Sequence, residues 1–179
     1  MHISHHFTDE EFWAHIAEAD AELLASFERA GAFEIADWRG PVSVGEWGFT
    51  GGVRSLTFGA VPVASVTVLV ENGTTPRDFV AQRRQVRAAI AADGSGLPDG
   101  SDLPDDVRVI MVDDVPVVFE IWDEPGLWCA AGQVHEHTIA IESEDELAGD
   151  VSLRRVADIQ PYVDGRNALI RGARGGVDL

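Results

Sequence analysis

An α+β fold is expected for this chain, with an antiparallel sheet of about seven or eight strands, possibly in two runs, two main helices packed on it and a short C-terminal helix. Three observations lead there. Two segments place apolar residues at the helical spacing of three and four, and the stretches between and after them alternate at the period of two that a strand requires. The strand-like stretches also follow one another without helical crossovers, which is the order of an antiparallel sheet rather than a parallel one.

The first helix is signalled by Thr8 with Glu11 three residues on, a capping box, with Phe7 and Phe12 placed for a hydrophobic staple. It starts at Asp9, buries a stripe of Phe12, Ile16, Ala19, Leu23 and Phe27, and stops at Gly31. Residues 33–70 then read as three or four strands broken by Gly-rich turns. Thr75 and Pro76 open a second helix, cap followed by first helical residue, which runs to Asp93 and Gly94. The Gly/Ser/Pro/Asp composition of 94–105 predicts a mobile loop. Four further strands are expected over 107–112, 115–122, 127–134 and 135–142, and a short helix over 158–165. Segments 1–7 and 172–179 are expected to be flexible, and 1–179 to form a single domain.

At 179 residues with 45% apolar content the chain can bury a core without staples. Its charge is lopsided: the 13 Lys+Arg are all Arg and face 31 Asp+Glu, for a net charge of -18. Such a surface repels phosphate backbones and anionic headgroups, so neither nucleic acid nor membrane is expected as a partner, whereas a basic protein or a cationic ligand is attracted. No apolar run approaches the roughly 20 residues of a spanning helix. Segment 1–7 has no basic-then-apolar leader, and Cys129 is the only cysteine, so a cytoplasmic location is expected.

Two constellations carry candidate chemistry. His135 and His137 stand two apart on an expected strand, where side chains two apart share a face, and Glu142 follows. With Gly149, this spacing resembles the first metal-binding motif of the cupin family, whose β-barrels hold Fe, Mn, Ni or Zn for oxygenase or isomerase chemistry. The resemblance implies a divalent transition metal held by His135, His137 and Glu142. Cys129 stands where that motif has a glycine, no His follows His137, and strand parity puts Glu142 on the face opposite His137. Beside the metal reading stands that of a sheet-edge His pair.

The second constellation is ionic. Asp20 falls inside the apolar arc of the first helix, where an unpaired carboxylate is costly. Arg83 falls similarly beside the apolar line of the second helix, with Arg84 and Arg87 on its flank, so an Asp20–Arg83 pair or an anion pocket around Arg83, Arg84 and Arg87 is expected. No complete catalytic set is visible. The leading expectation is therefore a non-enzymatic domain that docks a basic protein without a cofactor, the alternatives being a metal-dependent enzyme and a small-ligand carrier.

Overall fold

The computed structural model describes residues 8–38, 42–47, 53–58, 66–90, 103–147 and 150–175. The expected staple residue Phe7 and most of the expected mobile loop 94–105 lie outside them, as do segments 1–7 and 176–179. The elements run α1 (Asp9–Ala30), β1 (Phe33–Ile35), β2 (Val42–Trp47), β3 (Val53–Phe58), β4 (Val66–Asn72), α2 (Pro76–Ile90), β5 (Asp106–Val112), β6 (Val115–Glu124), β7 (Leu127–Val134), β8 (His137–Ser143), β9 (Ser152–Arg155) and α3 (Gln160–Gly175).

Local chemistry explains the helix boundaries. Thr8 and Glu11 form the capping box in both directions, and the Gly31 N–H closes α1 on the Phe27 carbonyl at 2.7 Å with φ 79°. Thr75 caps α2, its hydroxyl accepting the Asp78 N–H at 3.2 Å. The expected stop of α2 at Asp93 and Gly94 lies outside the described residues.

The class is α+β, but the sheet is mixed rather than purely antiparallel. Its order is β1-β9-β5-β6-β7-β8-β4-β3-β2, and β5 and β9 run parallel, meeting at Met111↔Ser152 and Val112↔Leu153. The link 144–151 makes this possible by carrying the chain from β8 past three strands. Four strand spacings are about 19 Å, within reach of eight extended residues at about 3.3 Å each. The sheet curls strongly as well. β1 and β9 sit far from β8 in strand order, yet Arg155 of β9 reaches His137 of β8 at 3.2 Å, and Phe33 of β1 lies 6.5 Å from the same ring.

Curling gives the sheet a concave and a convex face. Alternate residues of the central strands, Val68 and Val70, Ile139 and Ile141, Phe119 and Ile121, pack with Phe33, Leu153, Leu23 and Phe27 of α1, Ile159 just before α3 and Val163 within it. Their neighbours Leu69, Ala140, Cys129, Ala131 and Trp122 pack with Phe79 and Val80 of α2. The two long helices recognised in the sequence therefore cover opposite faces. Gly132 faces Phe119 across the β6–β7 ladder, and a Cβ there would meet the ring at 2.8 Å, so the aromatic lies where only glycine leaves room.

The C-terminal helix corrects the expectation of a short one: it spans sixteen residues against fifteen for α2. Gly165 and Gly172, each costing roughly 1 kcal/mol in a helix interior, lie within it. α3 runs antiparallel along α1, where Arg166 and Asn167 bind Asp20, Arg171 lies over Trp13, and Arg174 lies over Phe12 and bonds Asp9. Tertiary contact outweighs propensity there.

Candidate functional site

The basic stretch of α2 serves the convex face. Arg77 bonds Glu120 at 2.9 Å, Arg83 makes a two-pronged bond to Glu142 at 2.9 and 2.8 Å, and Arg84 pairs with Glu124. All three carboxylates belong to the sheet surface under α2, and the Arg83 and Arg84 pairs are largely shielded from water. The side chain of Arg87 lies outside the described residues.

The expected Asp20–Arg83 pair does not form, because α1 and α2 lie on opposite sides of the sheet. Asp20 is held instead by Arg166 and Asn167 of α3.

His135, His137 and Glu142 are not brought together. His135 sits in the β7–β8 turn with φ 55° and is exposed, while His137 begins β8 on the concave face and is buried. Glu142, five residues on, is about 16 Å further along the strand and on the convex face with Arg83. Arg155 Nη2 lies 3.2 Å from His137 Nε2, and burial first, then the Arg155 charge, pull the imidazole below its ordinary pKa. The ring is thus neutral near pH 7 and accepts the Arg155 proton through Nε2. Among the described residues no group of three His, Cys, Asp or Glu is placed to hold a metal ion. Cys129 is buried under α2, and burial first, then the Glu142 charge, push its thiol far above the ordinary range, the opposite of what a nucleophile needs.

An opening lies elsewhere, where β9 separates from β5. It is a cleft of about 700 Å³ between β5 and residues 146–147 and 150–152, and Trp128 lies among its lining. Arg108 is fixed there: its guanidinium stands 5.6 Å from the Trp128 ring centre, donates to the Leu147 carbonyl at 3.4 Å and pairs with Glu146. Asp150 adds a second carboxylate to the lining.

Beyond the part that α2 covers, the convex face exposes apolar side chains of β5 and β6. Val107, Val109 and Met111 of β5 and Val118 of β6 are 59%, 61%, 38% and 61% exposed. Val109 stands directly opposite Val118 across the ladder. These positions have the parity that α2 covers on β7 and β8, but α2 does not extend over them.

Sequence reasoning passed over this surface, although a signal was present. β5 alternates Val107, Val109 and Met111 with Arg108, Ile110 and Val112, so both of its faces are largely apolar. Such a strand needs cover on each side.

Neither a family model, a curated protein nor a solved structure matches the chain. No described helix is long and apolar enough to cross a membrane.

Proposed function

We propose that this chain is a non-enzymatic docking domain that captures a basic, partly apolar segment of another protein on the convex face of β5 and β6, in a cytoplasmic setting and without a cofactor. The observation that carries the reading is the stripe of Val107, Val109, Met111 and Val118, four neighbouring apolar side chains exposed on one sheet face. Contiguous exposed apolar surface with a polar rim marks interaction sites on folded proteins. The rim supplies the sign of the partner: Asp106 and Asp114 stand at the two ends of β5, Glu146 and Asp150 line the cleft, and the chain carries -18 overall. Arg108, which lines the cleft, is engaged by Glu146. Charge complementarity then steers encounter, and apolar contact supplies affinity.

A capture experiment from cell lysate tests this by comparing the wild-type chain with Val109→Ser/Val118→Ser. Both positions are exposed, so each change is expected to alter stability by only about 0.5 kcal/mol. Basic proteins are expected on the wild type at about 0.05 M salt, to elute by about 0.3 M, and to be absent from the variant. An identical set retained by both chains would refute the surface.

A further inference from the structure

We propose that the partner segment, given the docking reading above, binds as an added β-strand along the free edge of β5, seated in the fork where β9 diverges. The hairpin that joins β5 to β6 dictates which main-chain groups are on offer. Asp113 and Asp114 have φ of 49° and 63°, the signature of a two-residue type I′ turn, and Val112 pairs with Val115 across it. In such a hairpin the residues flanking the turn exchange both hydrogen bonds. Val112, Ile110 and Arg108 therefore turn their N–H and C=O groups toward β6, whereas Met111, Val109 and Val107 turn theirs toward the opposite edge. Two contacts agree with this assignment. The Asp113 N–H donates to Leu153 of β9 at 3.0 Å, and the Val107 N–H, lacking a strand beside it, is taken by its neighbour's carboxylate, Asp106 Oδ1, at 2.8 Å.

β9 pairs with β5 only at Met111 and Val112. Among the described residues no strand lies beside Val107 and Val109 on that edge. The Val109 N–H and C=O and the Val107 C=O face the fork, whose walls enclose about 700 Å³. An extended segment entering there meets a preformed row of donors and acceptors, the recognition mode in which the main chain gives affinity and alternate side chains give specificity.

Pleating sorts the guest's side chains. One set lies beside Val107, Val109 and Val118 on the convex face and extends that apolar stripe; the other points toward Trp128 and Leu147, with Glu146 and Asp150 nearby. The chemistry that fits is a strand alternating β-branched apolar residues with Arg or Lys.

The test uses the full chain and a synthetic octapeptide alternating Val with Lys, titrated by calorimetry at about 0.05 M salt. Two analogues carry N-methyl groups on one or the other alternate set of amides, which leaves charge and side chains unchanged, and a fourth peptide of similar charge is built to be helical. Methylation of one set is expected to weaken binding by about tenfold or more, and of the other set by less than about threefold, because only one set faces β5. Val109→Pro removes the protein's own donor while leaving the β5–β6 ladder intact, and is expected to weaken the parent peptide similarly; circular dichroism and melting report its fold. Equal binding of the parent and both methylated analogues overturns strand addition while leaving docking by surface contact standing. Absence of binding by the parent and the helical peptide alike overturns both. If Val109→Pro fails to fold, the methylation series on the wild-type chain decides alone.

Discussion

Tyr162 is the only tyrosine in the chain, and its hydroxyl donates to Glu34, which also accepts from Arg154. Burial first, then the bond to Glu34, push its phenol from an ordinary 10 up to about 12. The folded state thus holds this proton more tightly than the unfolded chain does. That contribution to stability is whole below pH 10 and is lost as pH rises from 10 toward 12. Because no second tyrosine interferes, ultraviolet absorbance of tyrosinate reports this one group. Titration near the upper value is expected for the wild-type chain and closer to 10 for Glu34→Gln. Coincident curves would show that the hydrogen bond to Glu34 contributes nothing. Asp20 is a case of pairing: a carboxylate in an apolar arc is tolerated because α3 brings Arg166 and Asn167 to it.

At the scale of elements, α2 unites two kinds of attachment. Phe79 and Val80 enter the convex core, and three guanidinium groups close over three sheet carboxylates at its margin. The Arg83–Glu142 bond is shielded from both sides, with side chains 16% and 11% exposed, as is the Arg84–Glu124 pair at 10% and 13%. Removing one partner strands a poorly hydrated charge. Arg83→Met is therefore expected to cost on the order of 2–3 kcal/mol in denaturant melts, and Glu142→Leu a similar amount, while the double variant recovers a large part of either loss. Additive losses would mean that the two groups are not coupled. The Arg77 pair is open to water on the arginine side, and Arg77→Ala is expected to lie within about 1 kcal/mol of wild type.

The whole molecule carries its charge unevenly. Among the described residues seven Arg form ion pairs with carboxylates, so much of the scarce positive charge is spent on internal attachments. The surplus acids remain on the exterior and repel one another. The melting temperature is accordingly expected to rise as salt goes from about 0.01 M to about 0.15 M, where screening shortens from roughly 30 Å to roughly 8 Å. A flat profile in thermal scans would show that the acids are compensated locally. Curvature matters at this scale too. By bringing β9 round to β8, the sheet encloses the concave core, but β9 parts from β5 after two residue pairs and leaves the fork open.

Element identity was written locally. The capping box at Thr8, Pro76 after its Thr75 cap, and the alternation over β5 to β8 placed two helices and most strands within a few residues, because those signals act between near neighbours. β9 was invisible, since a four-residue strand with one buried side chain, Leu153, carries no period. The length of α3 was hidden as well, because its glycines read as stops until the packing against α1 is known. Acidity and the choice of arginine belong to the sequence alone. Which side of the sheet each helix covers, who pairs with Asp20 and Arg83, and that Val109 faces an open edge were decided by tertiary structure. Each depends on the curl of the sheet and the parallel pairing of β5 with β9, which arise from contacts between residues far apart in the chain.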